Sequence, residues 1–189
     1  KKELLPGIAE GQTRATLAHT GLTGAPGCAG VEVTAPAEGD GFVLDGHHGF
    51  VVDGHSADLL VVAARRPGSE GEEGIAVCAL AGDTPGLSRT PLPTLDLTRR
   101  LARLDFAGVH VPESALLGGD DEAGAKLERA LQLSAIGLAA EQVGGAQRCL
   151  DLSVAYAQER EQFGRPIGSF QAIKHKCADM MVAVECARS

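Results

Sequence analysis

Tyr156-Ala157-Gln158-Glu159-Arg160-Glu161-Gln162-Phe163-Gly164-Arg165-Pro166-Ile167-Gly168-Ser169-Phe170-Gln171 is the stretch on which the fold of this chain turns. A helical pattern runs into it and breaks at Gly164-Arg165-Pro166, where glycine frees the backbone and proline removes a donor. A second helical pattern starts at about Ser169, with Phe170, Ile173, Cys177, Met180, Met181 and Val184 on one face. Two helices joined by so short a connection predict an antiparallel pair, the start of an up-down bundle.

Upstream, the first helix extends back to Gly118-Gly119-Asp120-Asp121, where Asp120 or Asp121 can act as N-cap. Leu127, Leu131, Leu138, Val143, Leu150 and Val154 are joined by so many alanines that residues 130–146 are apolar nearly all round, which predicts burial inside the bundle. Gly137, Gly144 and Gly145 each cost roughly 1 kcal/mol of helix propensity against alanine, and close approach of a neighbouring helix or ligand is the expected return.

Residues 12–117 read differently, as short apolar runs separated by Gly- and Pro-containing turns. Residues 31–35 lead to Gly39-Asp40-Gly41, residues 42–44 to Asp45-Gly46, and residues 50–52 to Asp53-Gly54, and Asp-Gly between apolar runs is a hairpin signal. Residues 59–64, 75–81 and 101–111 add strands, and 66–73 an exposed loop. The fold class expected is therefore α+β: an antiparallel barrel or sandwich-like β-domain over 1–118, then the first long antiparallel helices of an incomplete bundle over 119–189. Both ends read as interruptions of a longer chain, and the bundle residues left uncovered predict an apolar, association-prone surface.

The 189 residues are 44% apolar and 22% charged, a composition that can bury a core. A net charge of −8 with no basic block argues against nucleic acid or an anionic membrane as the main partner. The five cysteines form no Cys-x-x-Cys pair, and no apolar run is long enough to span a bilayer, so a reducing cytoplasm is the expected compartment. The six histidines lack metal-ligand spacing. Neither a phosphate-binding glycine loop nor a serine-nucleophile elbow occurs.

The segment 156–171 resembles the helix–turn–helix signature of acyl-CoA dehydrogenases, and Gln142-Val143-Gly144-Gly145-Ala146-Gln147-Arg148-Cys149-Leu150-Asp151 is similar to the helix before it. Leu4-Leu5-Pro6-Gly7-Ile8-Ala9-Glu10-Gly11 looks like the entry to that family's middle domain, and Gly39-Asp40-Gly41-Phe42-Val43-Leu44-Asp45-Gly46 like its central hairpin. The resemblance implies FAD as cofactor and an acyl-CoA thioester as substrate. It also implies α,β-dehydrogenation, an electron acceptor, and a homo-oligomer or a hetero-oligomer with a paralogue. In such enzymes the helical signature reaches the FAD of a neighbouring subunit, which falls here on Arg160, Gln162, Phe163 and Gln171. Arg160 can pair with the pyrophosphate through its planar fork, and Phe163 offers an aromatic face.

The chain departs from the family pattern at two flavin-contacting stretches. Where Thr-Glu-Pro followed by Gly, Ser and Asp is usual, it has Thr20-Gly21-Leu22-Thr23-Gly24-Ala25-Pro26-Gly27, which keeps Thr20 but places Pro26 at the serine. Where Trp-Ile-Thr-Asn is usual, it has Phe50-Val51-Val52-Asp53, so Phe50 can stack while Val52 has no hydroxyl. These losses suggest an alternative: a non-catalytic partner subunit lending Arg160 and Phe163 to a paralogue's flavin. The catalytic base of most members lies in a later helix. A minority place a glutamate at the position of Ser134, and Glu141 lies seven residues on along the same face as Leu138, so it is a weaker candidate whose pKa would rise if buried. Ser134 and Leu138 are the expected acyl contacts.

Overall fold

The computed structural model describes residues 3–118 and 122–189, and the expected N-cap residues Asp120 and Asp121 lie outside them. The elements in chain order are α1 (Leu5–Ala9), β1 (Ala15–Ala18), β2 (Ala37–Glu38), β3 (Gly41–Val52), β4 (Leu59–Arg65), β5 (Ile75–Ala81), β6 (Leu87–Pro91) and β7 (Leu101–Pro112). They are followed by α2 (Ala123–Glu159), β8 (Glu161–Gln162), β9 (Arg165–Pro166) and α3 (Gln171–Arg188). Two compact units divide at residue 130, so the first turns of α2 belong to the β-rich unit.

The first unit holds two sheets. One has the order β1-β4-β5 and the other β2-β3-β7-β6. Their facing sides enclose one core of Ala18, Val33, Leu44, Val51, Leu60, Val62, Leu80, Leu104, Phe106, Val109 and Val111. The strands over 59–65 and 75–81 are buried on both faces, as their unbroken apolar runs predict. The expected class, α+β, is what the chain shows, with two corrections of detail. The β1–β4 pairing is parallel, so the first sheet is mixed rather than antiparallel. The sheets are not closed into a barrel among the described residues; they are linked instead by bridges at Thr34, which pairs with Asp45 of β3 and with Arg65 of β4.

A third correction concerns Asp45-Gly46. It is not a turn: β3 continues straight through it to Val52. The register against β7 slips between Leu44 and Gly46, a bulge in which the Asp45 backbone turns to Thr34 (N–H to O 3.2 Å, and the return bond 2.8 Å). The Asp45 carboxylate accepts the Gly108 N–H at 2.8 Å, and Gly46 takes φ 122°, with the Val33 backbone so close that a Cβ would sit 3.2 Å from it. The Asp-Gly pair thus supplies the polar side chain and the positive φ of a bulge, the same chemistry a hairpin turn would use.

In the second unit, α2 and α3 lie antiparallel, with the Arg188 guanidinium donating to Gln147 at 2.7 Å and Leu150 and Val184 buried. The expected break at Gly164-Arg165-Pro166 is the β8–β9 hairpin. Of the predicted apolar face of α3, Val184 is buried, Ile173, Cys177 and Met180 are half-buried and Met181 is exposed. The expectation that residues 130–146 are buried is not met by the described residues: Leu133, Ile136 and Leu138 are exposed, and nothing approaches within 4 Å of where a Cβ on Gly137, Gly144 or Gly145 would lie. No helix among the described residues is long and apolar enough to cross a membrane.

Candidate functional site

The predicted site residues fall into three groups, one on the β-rich unit and two on the helical unit. Thr20 and Phe50 are brought together. The chain leaves β1 after Ala18, and the Thr20 carbonyl accepts the Gly49 N–H at 2.8 Å. Phe50 sits in the second register slip of β3, between His48 and Val51, with φ 56°. An L-residue in that region is strained. The ring faces outward: Phe50 is 49% exposed, and exposed too are Val52 two residues on and Leu22, whose side chain lies against Gly49.

Three groups that sequence reasoning missed hold this face. Glu32 accepts the Thr23 hydroxyl at 2.6 Å and the Leu22 N–H at 3.3 Å, and its carboxylate lies 3.4 Å from His47 Nε2. The Thr23 hydroxyl, chiefly, holds the Glu32 carboxyl below its ordinary pKa. A side chain on Gly21 would collide with that carboxylate, so the glycine is fixed by Glu32. Thr16 donates its hydroxyl to the Val52 carbonyl at 2.6 Å, so the place where a threonine is expected has a hydroxyl nearby whose proton is committed to the backbone. His48 is the only fully buried polar side chain of the described core, edge-on to Phe106 at 5.9 Å between centroids, with Nε2 2.8 Å from the Ala63 carbonyl. Burial pushes its pKa down to about 4, so it is neutral at pH 7. The only signal for it in the sequence is the adjacent His47-His48 pair, which the structure places within β3.

Pro26 ends the turn as an extended residue before the short helix Gly27–Gly30. The N–H of Cys28 there donates to the Glu128 carboxylate of α2 at 2.5 Å, and the Arg65 guanidinium donates to the Cys28 carbonyl at 2.6 Å. This loop is tied inward and offers no side-chain hydroxyl. Burial, first, then Glu128 raise the Cys28 thiol to about 11, and burial raises Cys78 to about 12, so neither is a nucleophile at neutral pH.

On the helical unit, the hairpin gathers Arg160, Gln162, Phe163 and Gln171, all exposed. Phe163 at φ 55° and Gly164 at φ 76° form the turn, and Phe163 is 91% exposed. The hairpin is held rigidly: Ile167 N–H donates to the Arg160 carbonyl at 2.8 Å, Phe163 meets Phe170 edge-on at 6.1 Å, and the Arg165 guanidinium stacks 4.1 Å above Phe170. Phe163 is thus a large aromatic left exposed on a positive-φ turn, in edge contact with Phe170. The third group, Ser134, Leu138 and Glu141, follows one face of α2, and all three are exposed. The burial that would make Glu141 a tuned base is therefore absent from the described residues. No cluster of three or more His, Cys, Asp or Glu able to hold a metal occurs among them.

The model of the acyl-CoA dehydrogenase C-terminal domain matches residues 125–189. Acyl-CoA dehydrogenase IpdE2 of Mycolicibacterium smegmatis is 50% identical over 99 residues, 52% of this chain and 28% of the relative. The mitochondrial 2-methylacyl-CoA dehydrogenase of Solanum tuberosum is 32% identical over 191 aligned residues, covering 100% of this chain and 46% of the relative. This chain therefore spans less than half the length of either relative. The FAD complex of PigA superposes over 100% of this chain and 50% of its own with a TM-score of 0.90 at 26% identity. Signature hairpin, β-rich unit and matches in both halves agree, and the chain belongs to the acyl-CoA dehydrogenase family.

Proposed function

We propose that the protein acts in the FAD-dependent α,β-dehydrogenation of an acyl-CoA thioester. The observation that carries this reading is the hairpin: Phe163, 91% exposed on a strained turn next to Arg160, matches the cofactor-reaching element of the family. FAD, when bound, accepts the β-hydrogen as hydride. Everything else falls to the protein. Phe50 and Thr20 would hold the flavin face on the β-rich unit. Arg160, Gln162, Phe163 and Gln171 would hold a cofactor across a subunit interface, the guanidinium on phosphate and the ring on an apolar edge. Ser134 and Leu138 would line the acyl chain. The α-proton needs a carboxylate base, and Glu141 is the candidate this chain offers on the same helical face. Such an interface makes the protein an oligomer, with itself or with a paralogue.

A second reading is favoured by Pro26 and Val52, which remove two hydroxyls from the flavin face, while Thr16 beside Val52 keeps its proton on a backbone carbonyl. In it, the chain is a non-catalytic partner that contributes only the hairpin. A visible-spectrum FAD titration of the full chain, alone and co-expressed with a paralogue, separates the two. Flavin bleached by acyl-CoA in the lone protein supports the dehydrogenase, and flavin found only in the mixed complex supports the partner subunit. No flavin in either defeats both.

A further inference from the structure

We propose that His48 is a positioning residue of the flavin face, its imidazole replacing the strand partner that β4 loses where the chain peels away to present Thr20. This rests on the reading of Thr20 and Phe50 as flavin contacts. Along the side that faces away from β5, β4 is first paired by β1, with Ala18 opposite Val62 as the last pair. Two residues later the same edge is taken up by another segment: Arg65 N–H donates to the Val33 carbonyl and Ala35 N–H to the Arg65 carbonyl, both at 2.8 Å. Ala63 lies between these two partners, opposite the point where β1 has already ended. Its carbonyl is buried with the core and requires a donor. His48 supplies it, Nε2 to oxygen at 2.8 Å, from the facing sheet.

The consequence reaches the surface within two residues. Gly49 follows His48, and its N–H holds the Thr20 carbonyl; Phe50 follows Gly49, with a positive φ and its ring outward. Anchoring His48 inward therefore fixes both the strained Phe50 and the turn that carries Thr20. The well-formed hydrogen bond of the ring is through Nε2, as a donor, while the Thr20 backbone lies near enough to favour the charged ring weakly and Nδ1 meets no partner at hydrogen-bond geometry. An apolar side chain of similar size would fill the space and leave the Ala63 carbonyl unpaired.

The test compares H48L, which removes the donor, with H48Q, whose amide can reach the same carbonyl, in the full chain. F50A serves as the reference for the face itself. The readouts are FAD affinity by titration and the vibronic shape of the bound flavin's absorption band, which reports ring environment and not global stability. Expected are a loss of flavin affinity of about tenfold in H48L, the scale of one buried unsatisfied acceptor, with a broadened band, and recovery to within about threefold in H48Q. If H48L binds flavin like the wild type while F50A does not, or if H48Q fails to recover what H48L loses, the positioning role is overturned. If F50A has no effect, the flavin-face reading itself fails and the proposal falls with it. Should H48L not fold, nitrogen NMR of the His48 ring decides: a proton on Nε2 at pH 7 supports the proposal and one on Nδ1 overturns it.

Discussion

Acidification should destabilise the β-rich unit through His48, in a pH window set by that one ring. Its folded pKa is about 4, against an ordinary 6.5 in the unfolded chain, because burial penalises the charged form more than its backbone neighbours favour it. Above pH 6.5 both states are neutral and the residue contributes no pH dependence. As pH falls from 6.5 towards 4 the unfolded state takes up a proton that the folded state refuses, so stability falls by up to about 1.4 kcal/mol per pH unit. Between pH 8 and pH 5 the loss integrates to about 2 kcal/mol, and below pH 4 it levels off. His19, also lowered by burial, moves in the same direction, whereas Glu32, Asp58 and Asp96 are carboxylates with lowered pKa whose stabilisation is lost only at more acid pH. The assay is urea unfolding at pH 8, 7, 6 and 5 for wild type and H48Q. Glutamine does not titrate, so the variant should lose about 2 kcal/mol less across that range. Parallel curves for the two proteins would show that His48 is charged in the folded state, or that it is not buried as described.

Other substitutions test separate parts of the structure. Gly124→Ala places a methyl against the Glu72 carbonyl, a backbone atom that cannot rotate away, and should cost about 1–3 kcal/mol in chemical denaturation. Gly144→Ala, with nothing within 4 Å, should raise stability by about 1 kcal/mol, and a loss would reveal a surface packed on that turn. R160A and F163A, at exposed positions of the hairpin, should leave the thermal midpoint within about 2 °C of wild type while weakening FAD binding tenfold or more, about 1.4 kcal/mol. Equal FAD binding in both variants would remove the hairpin from the cofactor site. E32Q should weaken FAD by a smaller factor, about threefold, since the amide keeps an acceptor for Thr23 but loses the charge beside His47.

The local features of the fold were legible wherever a single segment determined its own conformation. The unbroken apolar runs at 59–65 and 75–81 became doubly covered strands, and Gly164-Arg165-Pro166 became a turn between helices. What could not be read was pairing between distant segments. The parallel β1–β4 contact joins residues more than forty positions apart, and a four-residue strand carries no signal of its partner's direction. Strands β1 and β6 were missed for a related reason: Leu87–Pro91 is half polar and lies at the sheet edge, where alternation is weak. For α2, an all-round apolar pattern reports the surroundings in which the sequence was selected, and the described residues bury it only at Ala123, Gly124, Leu127, Leu150 and Ala157.

Strand β3 explains why the candidate flavin face was only half visible in sequence. It has twelve residues and two register slips, and at each one a backbone group leaves the β7 ladder for a segment from the other side, Asp45 to Thr34 and Gly49 to Thr20. The first slip links the two sheets, and the second sets the turn at Thr20 and the outward ring of Phe50. A motif comparison sees the side chains at these positions and records Pro26 and Val52 as losses. It does not see that the geometry depends on backbone bonds anchored by Glu32 and His48, which can persist after flavin-contacting hydroxyls have gone. The two functional readings therefore differ in chemistry rather than in architecture: a partner subunit would keep the same bulge and hairpin. For that reason flavin spectra of the lone chain discriminate between them, whereas a measure of fold or stability does not.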